Sequence, residues 1–198
     1  NCYGEFVETQ EPCHVGADLM AGSLIKNPGG GLVPTGGYVC GREDLIEKVA
    51  CRVFTPGMGR ELGATMGFNR LAFQGFFLAP HVVSQSLKGA ILTAHALAKT
   101  GLQVSPAADE ARTDIIQALR FESREKLITF CQAIQAACPI DSYVRPEPAR
   151  SPGYGDEVIM AAGTFAEGSS IELSADGPLR EPFVGYLQGG LAYSHNKL

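Results

Sequence analysis

Lys26 is the residue in this sequence best placed to do covalent chemistry. It is the only lysine before Lys48, and it follows Leu24-Ile25 at the end of an apolar run that reads as a strand. An ammonium is costly to bury, so desolvation lowers the pKa of a lysine held there. A depressed pKa is what Schiff-base chemistry with a carbonyl cofactor requires. Asn27-Pro28-Gly29-Gly30-Gly31 follows at once, and glycines let a cofactor or a neighbouring subunit come close without side-chain clash. The alternative is a strand-end lysine snorkelling to solvent beside a tight turn. The residues by themselves leave both readings open.

Other chemistry is less well supported. The glycine-rich segment lacks the G-K-[ST] ending of a phosphate loop, and no G-x-G-x-x-G opens a helix, so a nucleotide site is not expected. The six cysteines form no C-x-x-C pair, and Cys13-His14 alone is a poor zinc cue, so no metal is expected. Cys51, Cys131 and Cys138 fall in amphipathic stretches where a buried free thiol is common. Reduced thiols and a cytoplasmic location follow from that usage. His81 and His95 read as packing or surface residues. Tyr154, in Pro152-Gly153-Tyr154-Gly155, lines a cleft or simply serves a turn.

Composition narrows the class. The chain has 198 residues, 45% hydrophobic and 19% charged, with a net charge of -5. That balance is ordinary for a globular protein and gives no electrostatic reason to expect nucleic acid or an anionic membrane as partner. No apolar run approaches the roughly 20 residues a membrane span needs. The richest, Leu71 to Val83, is interrupted by Gln74, Gly75 and Pro80. The chain opens at Asn1 without an initiator methionine, within structured-looking sequence, as a truncated start would.

The elements that must hold Lys26 follow from periodicity. Gly- and Pro-punctuated apolar runs over 15–41 predict short buried strands, including one at 36–40. Leu45, Ile46, Val49, Ala50 and Val53 predict a helix over 42–53, and Leu87, Ala90, Ile91, Ala94, Leu97 and Ala98 another over 81–100, stopped by Gly101. A composition shift over 105–112 predicts a domain boundary. Beyond it the pattern predicts a strand at 114–120, a helix at 125–138, a loop at 146–155, and strands at 158–165 and 170–174.

Three segments carry a family resemblance: Asn1-Cys2-Tyr3-Gly4-Glu5-Phe6, Ala21 to Gly31 around Ser23-Leu24-Ile25-Lys26, and Gly168 to Pro182. They resemble the methionine gamma-lyase-like, "aluminium resistance" family, related to the cystathionine lyases among the fold-type-I pyridoxal-phosphate (PLP) enzymes. The resemblance runs along essentially the whole chain. It implies an α/β fold in which 1–107 end the large PLP-binding domain and 108–198 form a small α+β C-terminal domain. Lys26 matches the cofactor lysine. Ser23 matches a position that places a hydroxyl on the cofactor phosphate. Tyr3 belongs to the segment that follows the pyridine-partner aspartate. Thr55 and Gly57 resemble a loop that reaches a neighbouring subunit's phosphate, or they form a plain connection between helices.

The same resemblance implies a carbon-sulfur lyase that eliminates a thiol from a sulfur amino acid, acting as a homodimer or homotetramer. Two departures bear on it. The N-terminal half of such enzymes, with the pyridine-partner aspartate, the stacking aromatic and most phosphate contacts, is not in this sequence. Where the family strand carries an arginine for the substrate carboxylate, Ile171-Glu172-Leu173-Ser174 has Glu172; Arg180 is the nearest alternative, or else a surface ion-pair residue. The isolated chain is therefore expected to be inactive. The alternatives are other PLP chemistry of aldolase, aminotransferase or desulfurase type, or a non-catalytic fragment serving as a structural module.

Overall fold

The computed structural model describes residues 1–54, 56–61, 66–166 and 168–197. Its elements are β1 (Leu19–Ser23), β2 (Gly37–Gly41), α1 (Glu43–Val53), α2 (Phe68–Ala98), β3 (Gln103–Ser105), β4 (Gln117–Arg120), α3 (Arg124–Ala137), β5 (Ala149–Arg150), β6 (Glu157–Ala161), β7 (Ser174–Pro178) and β8 (Val184–Gln188). The fold is mixed α/β. β1 and β2 form an antiparallel pair, and the other six strands form one sheet in the order β3-β4-β8-β7-β6-β5, antiparallel at every ladder.

Helix α3 covers the middle of this sheet. Ser123 caps it by accepting from the Lys126 N–H at 3.3 Å. Leu127 and Cys131 then pack on Ile159, Ala161, Ala175 and Leu187. Burial pushes the Cys131 thiol up to about 12, so it is an inert core residue. Cys138 is also buried, whereas Cys51 is exposed, because the apolar stripe of α1 turns other residues inward.

Three expectations are corrected. Lys26 is not on a strand. The β1–β2 ladder runs from Leu19↔Gly41 to Ser23↔Gly37, and Leu24 N–H bonds to Gly36 C=O at 2.9 Å just beyond it. The chain then turns, and Lys26 precedes a 3-10 turn, Asn27–Gly29, that carries Pro28 at its start. The segment 170–173 is not a strand either. Ile171 spends its N–H on Ile25 C=O (3.2 Å) and its C=O on Gly190 N–H (2.7 Å), so the ladder begins only at Ser174. Finally, α2 starts at Phe68 rather than near 81 and runs through Pro80. Proline forfeits one helical hydrogen bond there, and close packing against the 3-10 turn offsets the loss. β8 was not anticipated at all.

That packing depends on glycine. A Cβ at Gly75 would collide with the Gly29 carbonyl, and one at Gly30 with the Gly75 carbonyl. Both obstacles are backbone and cannot swing away. Gly75→Ala is therefore expected to cost about 2 kcal/mol by overpacking. In urea unfolding it should lower the midpoint with an unchanged slope. A wild-type midpoint would contradict the close approach of α2 to the turn that follows Lys26.

Candidate functional site

Three segments distant in sequence meet at Lys26. Its Nζ donates to the Tyr3 phenol oxygen at 2.7 Å and to the Ser169 carbonyl oxygen at 2.5 Å, and lies 4.6 Å from the Tyr3 ring centroid. Tyr3 is delivered by the segment 1–6, whose Asn1 backbone nitrogen donates to Ala21 C=O at 2.8 Å. That approach needs Gly22, where a Cβ would strike the Asn1 carbonyl and the Tyr38 ring. The buried Asn27 completes the anchor, donating through Nδ2 to the carbonyls of Tyr3 (3.0 Å) and Glu5 (2.9 Å). Ser169 is placed by the bond from Ile171 N–H to Ile25 C=O.

The surroundings lower the proton affinity of the amine. Burial pulls Lys26 below the usual lysine range, while the nearby Cys2 and Asp176 oppose that effect. Burial also pushes the Tyr3 phenol up, with Asp176 adding to it, so Tyr3 meets the amine as a neutral acceptor. An amine in this setting is poised to attack a carbonyl.

Asp176 escaped the sequence reading. It stands on β7, where its Oδ2 accepts from Ser169 Oγ at 3.0 Å and from Gln188 Nε2 at 3.2 Å. Gln188 also donates to Ser174 Oγ at 2.9 Å. The signal was in the alternation: a strand starting at Ser174 puts Ser174 and Asp176 on one face, with Gln188 directly opposite Ser174. Displacing the strand to 170–174 hid it.

The other candidates fall in different places. Ser23, with Ile25, Pro34, Thr35, Gly36 and Phe165, lines an open cleft of about 460 Å³ whose lining does not include Lys26. Arg180 is exposed and stands 3.6 Å from Asp156 through Nε. It lines a second cleft, about 520 Å³, with Tyr154, Ser169 and Asp176. Ser169 thus belongs both to the Lys26 cluster and to the cleft of Arg180. Gly57 bonds back to Cys51 C=O at 3.4 Å, and no hydrogen bond among the described residues joins it to Lys26. Thr55 lies outside the described residues. His81 and His95 are exposed on α2.

Glu172 has a definite occupation. Its two carboxylate oxygens accept from the N–H groups of Phe165 (3.1 Å) and Ala166 (2.9 Å), tying down the loop that flanks the Ser23 cleft. Hydrogen bonds to a charged group contribute about 1.5–3 kcal/mol, so Glu172→Ala should lose stability on that order. Glu172→Arg should be no better, because a guanidinium has no acceptor for those donors. Recovery of wild-type thermal stability in Glu172→Arg would show that the carboxylate is not what position 172 needs.

Comparison with known proteins bears on this geometry. The family model for methionine gamma-lyase matches residues 1–198. The YnbB protein of Bacillus subtilis (strain 168) is 64% identical over 197 residues, covering 100% of this chain and 47% of YnbB. A 33.9 kDa protein of Lactobacillus delbrueckii subsp. bulgaricus is 50% identical over 198 residues, with 65% of its length covered. A candidate cystathionine beta-lyase involved in aluminium resistance from Listeria innocua superposes at a TM-score of 0.92 with 57% identity, over 100% of this chain and 48% of that one. A carbon-sulfur lyase involved in aluminium resistance from Clostridium novyi NT gives 0.90 with 56% identity, over 100% and 46%. The chain spans about half the length of YnbB and of these solved relatives. With a family match from its first residue to its last, the chain belongs to the methionine gamma-lyase family, a carbon-sulfur lyase family.

Proposed function

We propose that this chain is the C-terminal part of a PLP-dependent lyase that eliminates a thiol from a sulfur amino acid, and that Lys26 holds the cofactor. In this reading 1–107 complete the large cofactor domain, 108–198 form the small one, and the full-length enzyme is a homodimer or homotetramer. The observation that carries it is the half-buried Lys26 amine, held by Tyr3 and Ser169 and shifted toward its neutral form.

The residues present fit the group. A carbonyl cofactor reacts with an uncharged amine, and burial lowers the proton affinity of Lys26 in that direction. A phosphate needs donors near open space, and Ser23 lines the cleft next to Ile25. Ser23 and Lys26 would hold the cofactor, with Tyr3 beside it. When bound, the cofactor supplies an electron sink for the carbanion at the substrate α-carbon. The protein's part is local. Lys26 Nζ, once free, moves the α-proton as general base, and Tyr3 and the Ser169 carbonyl fix where that nitrogen points. Arg180 would bind the substrate carboxylate, since a guanidinium offers two parallel donors and the cleft it lines includes Ser169. Glu172 cannot do so, because an ionised carboxylate offers a second carboxylate no donor and repels it.

In the full-length enzyme, Lys26→Ala should abolish release of both keto acid and thiol and remove the absorbance of bound cofactor, with the fold retained by circular dichroism. Keto acid release without thiol would move the reading to another PLP reaction, and undiminished turnover would end it. Arg180→Lys should raise KM by about tenfold, equivalent to ~1.4 kcal/mol, while leaving the cofactor bound. Unchanged KM and kcat would remove Arg180 from the site.

A further inference from the structure

The described part of the lyase reading leaves the Asp176 network without a task, although it stands between Lys26 and the Arg180 cleft. Ser169 is shared: its carbonyl oxygen holds the Lys26 amine, and its hydroxyl donates to Asp176 at 3.0 Å. Gln188, buried on β8, donates to the same Asp176 oxygen at 3.2 Å, and its bond to Ser174 Oγ at 2.9 Å fixes the amide's orientation. The Asp176 backbone is pinned between Met160 on β6 and Tyr186 on β8. A carboxylate on a central strand is a rigid support, whereas the bend that carries Ser169 is not regular structure and needs one.

We propose that Asp176 is a positioning residue for Lys26: through Ser169 it fixes the carbonyl that holds the amine, and it sets a carboxylate's charge beside that link. The inference takes its catalytic meaning from the lyase reading above, but its geometry stands without it. The groups facing Lys26 are Cys2 and Tyr3 from the N-terminal segment, the Ser169 carbonyl from the bend before β7, and Asp176 from β7 itself. Of these, Asp176 is the carboxylate, and it works against burial by favouring the charged amine. Removing its charge while keeping its shape therefore extends the neutral form of Lys26 to lower pH.

Reductive methylation with formaldehyde and cyanoborohydride, followed by peptide mass spectrometry, reads the free amine of Lys26 as a function of pH without any cofactor. Exposed Lys48 serves as the internal control. Applied to the full-length protein stripped of cofactor, Asp176→Asn should move the Lys26 midpoint to lower pH, with severalfold faster labelling below the wild-type midpoint and no change at Lys48. Asp176→Glu should keep the wild-type midpoint. Ser169→Ala, which cuts the tie but keeps the charge, should raise the plateau labelling rate of Lys26 as the carbonyl clamp loosens. An unchanged midpoint in Asp176→Asn overturns the proposal. If that variant does not fold, an unchanged plateau in Ser169→Ala does so. Since the readout involves no cofactor, failure of the lyase reading would appear in the Lys26→Ala turnover assay and leave these midpoints where they are.

Discussion

A lysine amine removed from much of its water must find acceptors, and the way Lys26 finds them organises this chain. It has no partner within its own turn. Its acceptors come from residue 3 and from residue 169, so holding the amine requires the N-terminal segment and the bend before β7 to close on the same point. Asn27 performs the complementary task on the backbone of the N-terminal segment. Neither acceptor is a carboxylate. A direct carboxylate partner would stabilise the ammonium, whereas a phenol and a carbonyl satisfy the amine without committing it to the charged form.

The close approaches that permit this arrangement are backbone to backbone, which is why glycine recurs around the site. Gly22 admits the Asn1 carbonyl, Gly29 admits the Leu24 carbonyl, and Gly30 and Gly75 let the turn after Lys26 lie directly on α2. A long helix crossing behind the turn gives the lysine a stiff base. The antiparallel sheet gives the other side of the site its base, through Ser174, Asp176 and Gln188 on β7 and β8. Ser169 lies where the two supports meet.

How much of this could be read from the residues varies with the kind of interaction. Helix α3 was legible because its stripe buries Leu127 and Cys131, α1 because its apolar residues recur at helical spacing although Ala50 alone is fully buried, and β2 because it sits between glycines. Lys26 itself was legible as a lysine beside apolar residues and glycines, although the strand expected to carry it ends at Ser23. The N-terminal half of α2 was not, because Gly75 and Pro80 read as breakers when their neighbours in space are unknown. The 170–173 segment alternates like a strand, yet its backbone partners are Ile25 and Gly190, and no local pattern announces bonds of that range. The same limit hid Asp176. Position 172 shows the converse: a glutamate replacing an expected arginine looks like a lost substrate contact, and its two bonds to backbone amides reveal a structural task.

The claim that Lys26 carries the cofactor is tested most directly by borohydride reduction of the pyridoxal-phosphate-loaded full-length protein, followed by peptide mapping. The account predicts a single pyridoxyl mass addition, on the peptide containing Ser23-Leu24-Ile25-Lys26-Asn27. Label on Lys48, Lys88, Lys99, Lys126 or Lys197, or on a lysine outside this chain, with Lys26 unmodified, would contradict it.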